Sequence, residues 1–208
     1  SQFYQVTERN DIVLPLSDTP YFFDLFPSYT YPFGNESTLF GGLGPTLLRG
    51  SLHETDGSGI TGAAVYVTGQ SNVCVTDSTG QWVLTFPDDQ AANDVSVRIE
   101  MPDGSTTEVS NVPVTQGRTS SLANTVLRGL VLNSDGIGIS GATIWIEGYL
   151  GTTVSDSSGE WFYYFPPNQQ QVILNVTAEL PDGQSATQAN VQLQPRETVI
   201  VPNFLFSQ

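Results

Sequence analysis

The chain has 208 residues, 21 of them acidic and 6 basic, giving a formal net charge of −15; every basic residue is Arg. This balance excludes the basic footprint of a nucleic-acid binder. A single Cys excludes an intrachain disulfide framework or a Cys-based zinc site, a single His excludes a His-cluster metal site, and no apolar run approaches the ~18–20 residues of a membrane span.

Taken in chain order, residues 1–46 form a first unit. They contain ten aromatics by residue 40 and are punctuated by Pro15, Pro20, Pro27, Pro32 and Pro45. The prolines break any helix or long strand. Such a segment reads as an extended aromatic N-terminal arm, too apolar to stay solvated alone and so in need of a docking surface. Gln2–Val6 and Asp11–Leu16 are the expected strand segments, through Phe3, Tyr4, Val6, Ile12 and Leu14. Tyr21, Phe22, Phe23, Phe26, Tyr29, Tyr31 and Phe33 are the expected anchors. Two docking modes stay open: strand addition to a neighbouring subunit, and an arm folded back over its own body.

The remainder is an internal repeat. Residues 48–126 and 127–205 align without a gap at an offset of 79, with 27 of 79 positions identical. Leu48-Arg49-Gly50 returns as Leu127-Arg128-Gly129, Asp77 with Gly80 and Trp82 as Asp156 with Gly159 and Trp161, and Pro102-Asp103-Gly104 as Pro181-Asp182-Gly183. In copy one, short runs rich in Val, Ile, Thr and aromatics fall at about 47–53, 63–69, 72–76, 81–86, 95–101, 105–112 and 119–126, separated by turn clusters. Alternation assigns inward stripes to Ala63, Val65 and Val67, to Trp82, Leu84 and Phe86, and to Val95, Val97, Ile99 and Met101. Asp56-Gly57 and Asp103-Gly104 are tight-turn dipeptides. Asp77 and Asp156 are expected to cap turns by accepting backbone N–H bonds. The expected domains are 47–126 and 127–208.

The order Gly50, Asp56-Gly57, Gly62-Ala63-Ala64-Val65, Gly69, Thr76-Asp77, Gly80 and Trp82 resembles the carboxypeptidase regulatory-like domains, which are transthyretin-like sandwiches. Copy two fits the same pattern, with Ser155 before Asp156. The resemblance implies an all-β fold: two tandem seven-stranded, Ig-like or transthyretin-like β-sandwiches behind the arm. It also implies a non-catalytic module of secreted or cell-surface proteins. The Lys–Asn isopeptide bond of related pilin sandwiches is unavailable to a chain without Lys.

The chemistry-bearing residues support the same direction. His53 has no nucleophile motif to serve, and the repeated Asp residues sit at turns, so no catalytic site is expected. Calcium is the one cofactor considered. Asp88, Asp89 and Asp94 are its densest candidate ligands, with solvated turn carboxylates as the plainer reading. Tyr66 and Trp145 occupy equivalent outward positions, extended by Tyr149, and form a candidate exposed aromatic patch for a glycan or for subunit packing. Cys74 reads as a small buried thiol. Asn35 and Asn175 open glycosylation triplets. The expected function is a non-enzymatic extracellular or cell-surface structural subunit that self-assembles with copies of itself into a filament, pilus-like fibre or surface layer. The alternatives are an adhesin or carbohydrate-binding module, and an accessory region of a larger secreted hydrolase. A chain starting at Ser1 fits a secreted protein after leader removal.

Overall fold

In the computed structural model, residues 44–87 and 89–207 are described. Copy one forms β1 (Leu47–Ser51), β2 (Ala64–Val67), β3 (Val73–Val75), β4 (Gln81–Thr85), β5 (Asn93–Glu100), β6 (Thr106–Val114) and β7 (Thr119–Leu122). They build two sheets, ordered β4-β1-β7 and β3-β2-β5-β6. Copy two forms β8 (Val126–Asn133), β9 (Thr143–Ile146), β10 (Thr153–Val154), β11 (Glu160–Tyr164), β12 (Val172–Glu179), β13 (Ser185–Leu193), β14 (Thr198–Ile200) and β15 (Phe204–Phe206). Its sheets are β11-β8-β14, with β15 also on β8, and β10-β9-β12-β13. The chain is an all-β sandwich protein, and its described residues contain no α-helix.

Alternating strands place their apolar faces together. One buried cluster takes Leu48, Val65, Trp82, Leu84, Val97 and Ile99. A second takes Leu127, Ile144, Trp161, Tyr163, Val176 and Phe204. The Gly–Trp pairing of the repeat has a steric cause. A Cβ on Gly50 would lie 2.5 Å from Cζ2 of Trp82, and one on Gly129 would lie 2.7 Å from Cζ2 of Trp161. Each indole therefore packs over a bare Cα, which leaves no room for any other residue.

Both copies carry the same bulge. The β5/β6 register slips between Val95 and Val97, and the β12/β13 register slips between Leu174 and Val176. Opposite these slips, Asn111 (φ 57°) and Asn190 (φ 59°) take the left-handed conformation that Asn tolerates better than most side chains.

One expected strand differs from the structure. The expected strand 119–126 is not continuous: β7 ends at Leu122 and β8 starts at Val126. The Val126 N–H bonds the carbonyl of Glu197, so the last residues of copy one by alignment serve as the first strand residues of copy two. At the end of copy two, Phe204–Phe206 stay at home as β15, running parallel to Val131–Asn133. Copy two thus has eight strands where seven were expected.

Candidate docking site

The arm residues Phe3 to Phe33 named above lie outside the described residues, as does Asp88. Tyr66 and Trp145 are half-buried on β2 and β9, in different sheets. The Arg98 guanidinium carbon sits 6.0 Å from the Tyr66 ring centroid. Tyr149 does not extend a patch. Its ring meets Phe165 edge-on at 5.3 Å and its hydroxyl accepts a bond from Gln169 Nε2 (3.0 Å), because packing against the copy-two core removes more apolar surface than facing water would. The neighbouring Leu150 points out instead, 97% exposed.

The carboxylates cap turns. Asp77 Oδ1 accepts the N–H groups of Thr79 (2.8 Å) and Gln81 (3.0 Å) and the Thr79 hydroxyl (2.7 Å). Asp156 repeats this with Ser158 (2.8 Å), Glu160 (3.0 Å) and the Ser158 hydroxyl (2.7 Å). Hydrogen bonds to the charged form hold both carboxyls below the ordinary aspartate range, those from Thr79 and Ser158 foremost. Asp89 and Asp94 are exposed, and among the described residues no three His, Cys, Asp or Glu side chains converge on a common point. Cys74 is half-buried on edge strand β3, and burial pushes its thiol up to about 11, far from a reactive thiolate.

One concavity was not foreseen from the sequence. A groove of about 600 Å³ opens beside Leu52–Thr55, lined by Leu52, Ile60, Met101, Tyr164 and Phe165 together with the polar Glu54, Thr61, Asp103 and Asn124. His53 sits in it. Its ring contacts the Gly57 carbonyl and the Ser51 hydroxyl, both at 3.0 Å, and stacks on Tyr164 with centroids 4.6 Å apart. A sequence signal for this groove exists. Thr125-Val126-Leu127 aligns with Phe204-Leu205-Phe206, so copy one lacks both phenylalanines of its counterpart.

The two copies are joined at a bonded seam. Tyr164 N–H donates to the Thr55 carbonyl (3.0 Å). Arg196 reaches across to the carbonyls of Asn111 (3.0 Å) and Ser110 (2.6 Å), which the copy-one bulge turns outward. Arg196 has a φ of 61°, where its counterpart in copy one is Gly117 (φ 67°). A non-Gly residue in this conformation costs roughly 1 kcal/mol, offset here by the bonds to two backbone carbonyls. Both residues also donate their N–H to an equivalent Thr hydroxyl, Gly117 to Thr46 and Arg196 to Thr125, each at 2.8 Å.

No family model matches the chain and no curated protein matches it. The resemblance of Gly50 through Trp82 to carboxypeptidase regulatory-like domains therefore stays one of pattern. Among solved structures, the chain is similar to the Bacillus anthracis TIE protein at 9% identity and a TM-score of 0.30, over 77% of this chain and 34% of that one. The chain thus spans about a third of that protein's length. It is similar to the shaft pilin SpaA from Lactobacillus rhamnosus GG at 8% identity and a TM-score of 0.28, over 76% of this chain and 96% of that one. It is similar to BcpA, the major pilin subunit of Bacillus cereus, at 14% identity and a TM-score of 0.27, over 77% of this chain and 59% of that one. Values this low establish no kinship.

Proposed function

We propose that this chain is a non-enzymatic structural subunit of an extracellular or cell-surface assembly, a homopolymer in which residues 1–46 dock on a neighbouring subunit and the sandwiches 47–126 and 127–208 form the body. The observation that carries the reading is a pairing: an arm with ten aromatics in its first 40 residues, and a body with an open groove that has Leu52, Ile60 and Met101 in its lining. Aromatic side chains release most free energy when removed from water, about 25 cal/mol per Å² of apolar area. An arm of this composition gains that energy only by burial against a partner surface. The bonded seam agrees with a structural role, since Arg196 and Tyr164 tie the copies together on separate contacts.

A sugar-binding reading draws less support from the same surface. Stacking on a sugar ring needs an open aromatic face, and Tyr66 and Trp145 are both half-buried. The test is sedimentation of the full chain beside a form carrying Tyr21→Ser, Phe22→Ser, Phe23→Ser and Phe26→Ser. The reading expects polymers of the unaltered chain and single chains of the variant. Equal polymerisation of both would remove the arm from the joint.

A further inference from the structure

The two copies differ where their alignment says they should match. In copy two, β15 lies parallel to Val131–Asn133, placing Phe204 (0% exposed) and Phe206 (5%) in the core and Leu205 (67%) in solvent. Phe204 packs near Trp161, with ring centroids 6.1 Å apart. Leu180, in the same core cluster as Phe204 and Phe206, is 2% exposed. In copy one the equivalent of Val131–Asn133 is Leu52–Glu54, the equivalent of Leu180 is Met101, and the residues that would form the eighth strand have left as the start of β8. Met101 is only partly buried, and the groove opens at this place. Copy one therefore lacks the eighth strand, and Tyr164 and Phe165 of copy two line part of the space, with Tyr164 N–H holding the Thr55 carbonyl.

The backbone at that position is poised for a partner. His53 and Gly59 face each other through the flanking bonds Ile60 N–H to Leu52 O (2.9 Å) and Glu54 N–H to Ser58 O (2.8 Å). Hydrogen-bonding groups of successive strand residues point to opposite sides. The N–H and C=O of His53 are thus aimed away from Gly59, toward the side that β15 occupies on Leu132 in copy two.

We propose that the groove beside Leu52–Glu54 is a strand-acceptor site, filled by residues 21–25 of a second copy of this chain, which add in parallel as β15 does in copy two. This rests on the reading of the arm as an intersubunit joint and names its acceptor. In an extended conformation Tyr21, Phe23 and Leu25 would share one face, as Phe204 and Phe206 do, so this stretch, read above as anchors, supplies the strand in place of 2–6 or 11–16. A second copy is the donor on the reading of the arm as an intersubunit joint; the 19 residues from Leu25 to Gly44 are also long enough to reach the groove within one chain, and the double-cysteine chain below decides between the two. Gly44 lies beside Gly117 at the start of β1, with a Cβ there 3.4 Å from the Gly117 carbonyl oxygen. The groove follows the end of the same strand, about 23 Å further along at ~3.3 Å per residue. Docked on a second copy, the arm makes a heterologous contact, which extends into an open filament when its rotation does not close into a ring.

The test uses full-length chains with Cys74→Thr, the residue at the equivalent position of copy two. One chain carries Phe23→Cys, and a differently tagged chain carries Met101→Cys or, as a rival edge, Val75→Cys on β3. After mixing, a short bis-maleimide joins docked partners, and docking raises the local concentration enough for about tenfold more Phe23–Met101 heterodimer than Phe23–Val75 heterodimer. A peptide of residues 19–27 suppresses that product and its Phe23→Asp form does not. Equal or greater linkage to Val75, or no effect of the peptide, overturns the acceptor site. Polymers without Phe23–Met101 linkage overturn this site and leave the arm-docking reading standing. A single chain carrying both Phe23→Cys and Met101→Cys that links only within itself overturns the second-copy donor. Absence of any polymer of the parent chains overturns the reading and the site together.

Discussion

Asp77 and Asp156 sit 79 residues apart and do the same work, each gathering two backbone N–H groups and a hydroxyl onto one oxygen. Asp56, Asp103 and Asp182 are also held below the ordinary aspartate value, by bonds foremost from the Ser58 side chain, the Ser105 side chain and the Gln184 N–H respectively. The sign for stability follows from proton uptake. The unfolded chain takes up these protons near pH ~3.9, before the folded chain does. Their contribution is therefore present above that pH and is lost as pH falls through the lower folded values. Urea midpoints should be level between pH 7 and 5 and drop toward pH 3, and a chain carrying Asp77→Asn and Asp156→Asn should show a shallower drop. An acid drop unchanged in that variant would contradict the turn-cap account. The capping role was legible because short Asp-x-x-Gly turns between apolar runs admit few other uses. Not every turn is so plain. Asn133, not Asp135, accepts the N–H groups of Asp135 (3.0 Å) and Ile137 (2.9 Å) in copy two, whereas Asp56 accepts from Ser58 (2.9 Å) in copy one. Equivalent loops can hand the same duty to different residues.

At the scale of strands, periodicity located β1 to β7 to within a few residues, because alternation of Val, Ile and aromatics with polar residues is set by burial on one face only. It failed at 119–126, where a single Thr- and Ser-rich stretch passes from one core to the next. Alternation reports that a residue is buried and not which sheet buries it. The same blindness hid β15, since Phe204-Leu205-Phe206 is short and follows a Pro-Asn turn. Its contribution is measurable. Phe204 is fully buried against Trp161, so Phe204→Ala should cost about 3–5 kcal/mol. Chemical unfolding followed by Trp fluorescence checks this, and a loss under about 1 kcal/mol would mean that β15 is an appendage to copy two and not part of its core. The outcome also bears on copy one, because it states what an added aromatic strand is worth at this position of the fold.

For the whole molecule, the repeat made the architecture readable and concealed the site. An alignment of copies shows what they share, while the groove and the seam arise where they differ: Phe204 against Thr125, Leu180 against Met101, Arg196 against Gly117. The Arg196 clamp was beyond reach of the sequence, because its acceptors are backbone carbonyls of a bulge 85 and 86 residues away. The acidic surface sets the conditions for assembly. A net charge of −15 repels like chains, so a joint between subunits has to come from burial of apolar arm residues, and screening by salt should favour it. Electron microscopy of the purified full chain near neutral pH, at moderate ionic strength and with or without a chelator, tests this most directly. The account predicts regular filaments that persist in chelator, since the joint is apolar and strand-bonded. Monodisperse particles of a single chain's mass would contradict it.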